Sequence, residues 1–166
     1  MGAPRAIGHR GVREAAGSWR ADPQPCLLDV NVLIALIDPK HSHHLIAHQW
    51  LAQHRAAWAT CPLTENSVLR IVGHPRYPTG PGSPAKVAPS LVSVRARPGH
   101  CFWQDDLSLL DARIVDATRL LTPHQITDTY LLALAVKHGG KLASFDKRLV
   151  ADAVRGGNAA LHVIEG

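Results

Sequence analysis

The stretch CLLDVNVLIAL, residues 26–36, decides the fold and raises the first chemical question. Its opening residues, Cys26 to Leu28, are wholly apolar and end abruptly, as a strand buried on both faces does. Asp29 then interrupts the apolar run. An ionised carboxylate in such surroundings loses its hydration and gains nothing unless a partner or a metal ion replaces the water. Asp29 therefore either caps the next element or ends a buried strand for a chemical reason.

Short apolar stretches alternate with helical patterns along the rest of the chain. Strands are predicted within residues 26–29, 57–61, 100–104, 141–145 and 160–164. Helices are predicted within residues 43–57, 62–74, 90–96, 109–121, 122–140 and 146–154. The Pro- and Gly-rich residues 75–89 predict a mobile loop. Strands that alternate with helices predict a three-layer α/β/α sandwich around a mostly parallel central sheet.

Length and composition favour one folded domain in the cytoplasm. The 166 residues suffice for a single sizeable core, which we place at residues 25–166. Residues 1–24 have almost no aliphatic periodicity and predict a flexible extension. The three cysteines form no C-x-x-C pair, which is typical of reduced thiols in the cytoplasm. No run of about 18 apolar residues occurs, so no membrane span is predicted, and the formal net charge of +5 permits a polyanionic partner.

Acidic residues recur where predicted strands end or the next helices begin. Asp29 and Asp146 each end a strand, while Glu65 and Asp128 fall in the first turns of helices. In a parallel sheet, ligand sites lie outside the carboxyl ends of the strands, so all four acids are expected at one edge. Such acids repel one another unless cations are present, and oxygen ligands favour hard ions such as Mg²⁺ or Mn²⁺. Asp29 is therefore interpreted as a metal ligand placed by a buried strand.

The phrases LLDVNVLIAL (27–36), LTENSVLRI (63–71) and TDTYLLALAVKHGGKLASFD (127–146) together resemble a PIN domain of the VapC toxin type, from type II toxin–antitoxin systems. The resemblance covers residues 25–165 and its motifs occur in order. It implies an Mg²⁺-dependent endoribonuclease with an RNA substrate, silenced by a cognate antitoxin. The homodimer that we expect rests on the resemblance alone.

Carried over by motif, the resemblance implies an acidic quartet that serves both metal binding and catalysis: Asp29, Glu65, Asp128 and Asp146. It also implies polar neighbours of these acids, namely Asn31, Thr127 and Ser144. Basic residues close to the acids in sequence are predicted to bind the RNA backbone. These are Lys137, Lys141, Lys147 and Arg148.

Other interpretations stay open at this point. Each acid alone fits a helix cap or a first helical turn, where carboxylates are stabilising by about 0.3–1 kcal/mol. His44 and His48 lie four residues apart, as in zinc-binding helices, but a solvated helix face explains them better. A haloacid-dehalogenase-like phosphatase requires a second Asp where this chain has Asn31. The alternative from another class is a non-catalytic PIN-like module that binds RNA or a protein.

Overall fold

A computed structural model of the chain describes residues 24–54 and 56–166. Except for Gln24, the predicted N-terminal extension lies outside these residues. The strands are β1 (Cys26–Leu28), β2 (Trp58–Thr60), β3 (His100–Phe102), β4 (Lys141–Ser144) and β5 (Leu161–Val163). The α-helices are α1 (Val30–Ile37), α2 (His44–Gln53), α3 (Pro62–Val72), α4 (Pro84–Arg95), α5 (Gln125–Lys137) and α6 (Gly157–Ala160), and a 3₁₀ turn covers Ala117–Arg119. Within the described part of the chain, no helix has both the length and the apolar character to cross a membrane.

The five strands form one sheet in the order β3-β2-β1-β4-β5, and every neighbouring pair is parallel. The predicted α/β/α sandwich is confirmed, and the sheet is parallel throughout. Strand β1 lies at its centre, where Leu27 faces the core beside α5 while Cys26 and Leu28 face the core beside α1 to α4. This alternation follows from the two-residue period of a strand. The buried apolar run of β1 therefore serves both layers.

Two of the predicted helices are absent. Within residues 109–121 only the short 3₁₀ turn forms, and no helix forms within residues 146–154. Aspartate side chains accept hydrogen bonds from backbone N–H groups two residues ahead, as Asp111 does from Arg113 and Asp146 does from Arg148. Such local bonds offer the backbone an alternative to the helix. The two segments instead meet through an antiparallel bridge between Val115 and Val154.

The predicted loop at residues 75–89 is too long. Helix α4 already begins at Pro84, with Ser83 in the N-cap position, and continues through the predicted helix at residues 90–96 as far as Arg95. Proline suits the first turn of a helix because the N–H group that it lacks would have no partner there. The sequence interpretation treated Pro84 as a loop residue when it marks a helix start.

Helix α5 ends where the sequence predicts. Gly139 follows the helix with φ at +64°, a left-handed conformation that glycine adopts without strain. The chain then turns directly into β4. This tight connection fixes α5 against the sheet, so that the first turn of α5 and the end of β4 lie at the same edge.

Candidate active site

Three aspartates meet at the carboxyl edge of the sheet. Asp29 follows β1 and Asp146 follows β4, and these strands are neighbours with Leu28 paired to Ala143. The backbone N–H of Asp29 donates to the carbonyl of Ala143 (2.9 Å), which sets Asp29 beside the end of β4. Asp128, in the first turn of α5, is close enough that both other aspartates raise its pKa. We call Asp29, Asp128 and Asp146 the aspartate group.

A hydrogen-bond network orients Asp29. Its Oδ2 accepts from the Ser144 hydroxyl (2.6 Å) and from Nδ2 of Asn31 (2.9 Å). The Asn31 amide also donates to Ser144 Oγ (3.0 Å), which accepts as well from the backbone N–H of Asp146 (3.0 Å). Asn31 and Ser144 thus join the residues after β1 to those after β4. The sequence predicts that Asn31 and Ser144 are polar neighbours that orient the acids. Their contacts agree with this role, which stays a prediction.

The capping interpretation of Asp29 also holds. Asp29 is the N-cap of α1, and its Oδ1 accepts from the backbone N–H of Val30 (2.6 Å). One carboxylate oxygen therefore caps the helix, while the other accepts the hydrogen bond from Ser144. The two interpretations that the sequence left open are compatible because a carboxylate has two oxygens.

Burial and neighbouring carboxylates disfavour the ionised forms of Asp29 and Asp128. The pKa of Asp29 is raised, first by burial, against the lowering effect of its hydrogen bonds, and Asp146 adds to the rise. The pKa of Asp128 is raised to about 6 by burial and then by the charges of Asp29 and Asp146. Among the described residues, the cation paired with this group is Arg148, whose Nε lies 3.6 Å from Asp146 Oδ1 on a side chain that is 93% exposed. Such an exposed pair compensates little charge.

The donor set fits a hard divalent cation. It consists of carboxylate oxygens, and a cation among them would remove the repulsion that raises the pKa of Asp128. In the described part of the chain, no group of three or more His, Cys, Asp or Glu side chains is arranged so that it could hold a metal ion. Mg²⁺ does not require three protein ligands, because it keeps several waters and is commonly held by one or two carboxylates. A recess of about 210 Å³ bordered by Asp128, Asp146 and Arg148 leaves room for hydrated ligands.

Glu65 is held by a different set of contacts. Its Oε1 accepts from the Thr60 hydroxyl (2.6 Å), and its Oε2 forms an ion pair with Nη1 of Arg95 (3.2 Å). No hydrogen bond or ion pair among the described residues joins Glu65 to the aspartate group. Its membership of the acidic quartet therefore stays a prediction, and its contacts favour another role. Arg95 lies 30 residues from Glu65 in the chain, so no local pattern could have predicted the pair.

The hydroxyl residue predicted to act beside Asp128 is Thr127, but the hydroxyl that the fold buries belongs to Thr129. Thr127 is exposed. Thr129 is fully buried, and its Oγ1 has no hydrogen-bond partner among the described residues. The sequence reads Thr-Asp-Thr at residues 127–129, and only the packing of α5 distinguishes the two hydroxyls. The role predicted for Thr127 stays a prediction without a supporting contact.

The predicted RNA-binding residues divide into two pairs. Lys147 and Arg148 are exposed directly after Asp146, where they can meet a phosphate. Lys141 begins β4 and so lies at the opposite edge of the sheet, about 16 Å along the strand from Asp146. Lys137 ends α5 and is paired with Asp106 (2.8 Å). Nearness in sequence was misleading for Lys137 and Lys141, because a helix or strand carries its two ends apart.

His44 and His48 form neither a zinc site nor a solvated face. His44 Nδ1 is bonded to the carbonyl of Ala35 (2.7 Å), and His48 Nε2 to that of Leu36 (3.1 Å). These carbonyls belong to the last turn of α1, which has no partners within its own helix. Both imidazoles therefore stabilise the end of α1.

A family model described as PIN domain matches residues 26–154, so the chain belongs to the PIN-domain family. Two curated relatives from Mycobacterium tuberculosis refine this assignment. Ribonuclease VapC44 is 43% identical over 135 residues, which cover 78% of this chain and 92% of the relative. Ribonuclease VapC39 is 38% identical over 131 residues, which cover 78% of this chain and 94% of the relative. These relatives place the chain in the VapC group, as the sequence resemblance predicts.

A solved structure shares the fold. The crystal structure of Mycobacterium tuberculosis VapC20, described as a toxin that cleaves the sarcin–ricin loop, superimposes with a TM-score of 0.55. The two chains are 15% identical, and the match covers 78% of this chain and 96% of VapC20. At this identity the similarity concerns the fold alone.

Proposed function

We propose that this protein is the toxin of a type II toxin–antitoxin system and acts as a metal-dependent endoribonuclease. The observation that carries the proposal is the aspartate group, in which burial and neighbouring carboxylates raise the pKa of Asp29 and of Asp128 without a compensating buried cation among the described residues. The repulsion between these carboxylates opposes folding unless a ligand cation relieves it. The curated relatives named ribonucleases support RNA as the substrate.

The proposed roles follow from the contacts. Asp29 and Asp128 would hold Mg²⁺, or Mn²⁺ in its place, and Asp146 would bind it directly or through water. When bound, the ion supplies a Lewis acid that offsets phosphate charge and makes a nearby water more acidic. Ser144 and Asn31 keep Asp29 in one orientation. Lys147 and Arg148, next to Asp146, would bind the phosphate backbone beside the scissile ester.

The remaining proposals concern context. We propose a cytoplasmic homodimer that is silenced by a cognate antitoxin. The support for these points is the membership of the VapC group. The sarcin–ricin loop is the target printed for VapC20, and the choice of RNA for this chain is a separate question that sequencing of its cleavage ends would answer.

Asp128→Asn tests the proposal directly. The variant removes a charge but keeps the shape, so the fold is retained and cleavage falls at least about 100-fold. The measurement is sequencing of the RNA ends produced by each purified protein in Mg²⁺. Asp152→Asn is the matched control, because Asp152 is an exposed aspartate outside the group. An Asp128→Asn protein that cleaves as well as the control refutes the assignment.

The non-catalytic module has one observation in its favour, namely that no group of three or more metal-ligating side chains in the described residues is arranged to hold a metal ion. Calorimetric titration with Mn²⁺ separates the two functions. A metal-dependent nuclease binds Mn²⁺, and Asp29→Asn weakens the binding. A module that only binds RNA or protein gives no heat of binding, or gives the same heat in Asp29→Asn.

A further inference from the structure

An exposed aromatic side chain lies at the same sheet edge as the aspartate group. Phe102 ends β3 and is 44% exposed, although most aromatic side chains nearby, such as Trp58 and Trp103, are buried. Because all the strands are parallel, the end of β3 lies at the carboxyl edge. Strand β3 is two strands from β1, so Phe102 is about 10 Å from the Asp29 side of the edge. An exposed ring at this distance is within reach of the same bound RNA strand.

A guanidinium covers one side of this ring. Cζ of Arg95 lies 5.3 Å from the centroid of Phe102. One of the Arg95 nitrogens, Nη1, donates to Glu65, while Nε is buried with no acceptor among the described residues. An arginine has five N–H donors, so this side chain keeps donors for a further acceptor such as a phosphate oxygen.

Glu65 is itself fixed from two directions. The Thr60 hydroxyl donates to Oε1 of Glu65 and is bonded to Nε2 of His100 (2.8 Å), which must then donate to it. Burial and the Arg95 charge lower the pKa of His100, which favours the neutral ring. We call Glu65, Arg95, Thr60 and His100 the glutamate group. Its bonds hold Arg95 over Phe102.

We propose that Phe102 and Arg95 form a subsite for one base of the RNA and its adjoining phosphate, with Arg95 held over Phe102 by its ion pair with Glu65. This inference rests on the proposed function. Aromatic rings and arginine planes are the usual stacking surfaces for unpaired bases, and a guanidinium also binds phosphate. The occupant is therefore single-stranded RNA, bound at one end by this subsite and at the other by the aspartate group.

The first test measures binding without cleavage. In an Asp128→Asn background, fluorescence anisotropy with a labelled single-stranded oligoadenylate gives the Kd of variants at position 102. Phe102→Leu keeps an apolar side chain but removes the stacking face, so Kd rises about ten-fold, whereas Phe102→Trp binds as tightly as Phe102. Leu45→Ala is the control, because Leu45 is a 72% exposed apolar residue on α2. An unchanged Kd in Phe102→Leu overturns the subsite.

The second test separates base binding from metal chemistry. Arg95→Lys keeps the charge but loses the planar fork that lies over Phe102. For the cleaved RNA, KM rises about ten-fold while kcat and the Mg²⁺ concentration for half-maximal rate stay within about two-fold. Phe102→Leu raises KM in the same way. An Arg95→Lys protein with a normal KM, or with a shifted Mg²⁺ requirement, overturns the subsite.

The two levels of proposal fail differently. If Asp128→Asn retains cleavage, the proposed function fails whatever happens at Phe102. If Asp128→Asn abolishes cleavage and Phe102→Leu leaves both Kd and KM unchanged, the nuclease assignment stands and the subsite is rejected.

Discussion

The aspartate group and Glu65 lie along one edge of the sheet, and their carboxylate charges are compensated in opposite ways. The carboxylate of Glu65 has an ion pair with Arg95 and a hydrogen bond from Thr60, so its charge is balanced inside the protein. In the aspartate group, the pKa values of Asp29 and Asp128 are raised by burial and by neighbouring carboxylates. A carboxylate that already has a cationic partner holds that partner in place. Carboxylates whose charges are not compensated are suited to bind a cation from solution. This difference separates the roles that we propose.

Ser144→Ala should have the largest effect on stability. The hydroxyl of Ser144 is fully buried, donates to Asp29, and accepts from Asn31 and from the backbone of Asp146. Its removal leaves buried polar groups without partners, so the free energy of unfolding in urea falls by about 2–3 kcal/mol. Ser93→Ala, at an exposed position on α4, is the control. Equal stability of the two variants would mean that the network does not hold the aspartate group together.

Asp128→Asn should stabilise the metal-free protein. The pKa of Asp128 in the folded state, about 6, exceeds the ordinary value of 3.8, so its ionised form opposes folding. This cost to the free energy of folding is absent below pH 3.8, grows as the pH rises from the ordinary to the folded pKa, and is complete at neutral pH. With allowance for solvent screening, the variant gains about 1–2 kcal/mol at pH 7.5.

The measurement is thermal unfolding in EDTA at pH 7.5 and pH 5. The gain in Tm shrinks at the lower pH. Added Mg²⁺ raises the Tm of the unaltered protein and raises that of Asp128→Asn less, because a ligand that binds only the folded state stabilises it. A variant that is less stable than its parent in EDTA at pH 7.5 contradicts the uncompensated charge.

Arg95→Met tests the opposite behaviour in the glutamate group. Methionine keeps the apolar stem but leaves Glu65 without its cation, so the free energy of unfolding falls by about 1 kcal/mol. The same change at Arg148, whose side chain is 93% exposed beside Asp146, alters stability by less than about 0.5 kcal/mol. Urea unfolding at pH 7.5 compares the two variants. A larger loss in Arg148→Met would invert the comparison between the groups.

The smallest expected effect concerns His100. Burial lowers the pKa of His100 below its ordinary value of 6.5, and the charge of Arg95 lowers it further. The stability that depends on the neutral ring is therefore present above pH 6.5 and is lost as the pH falls through the folded pKa. His100→Gln keeps an N–H donor near Thr60 but does not titrate.

Urea unfolding at pH 7.5 and pH 5.5 measures the difference between His100→Gln and its parent. The parent loses more stability over this interval, by less than about 1 kcal/mol. The comparison cancels the opposite contribution of the aspartates, because both proteins contain them. An identical loss in the two proteins would show that folding does not shift the pKa of His100.

Sequence patterns predicted the sheet better than the helices. All five strands were predicted because each is a short apolar run, and the ends of parallel strands locate Asp29 and Asp146 without coordinates. The helices predicted within residues 109–121 and 146–154 were wrong because aspartate side chains bond the local backbone there. Lys141 was predicted to lie near the acids, which was wrong. The strand predicted at residues 141–145 already placed it at the amino end, away from the carboxyl edge.

The sequence by itself determined the parallel α/β sandwich and membership of the PIN-domain family, because both depend on order along the chain: apolar period, strand ends and spaced acids. Only the tertiary structure decided which acids meet. Asp29, Asp128 and Asp146 come together without a buried cation from the described residues, while Glu65 forms an ion pair with Arg95 from another helix. Charge compensation acts through space over a few ångströms, and no local spacing in the sequence encodes a partner 30 residues away.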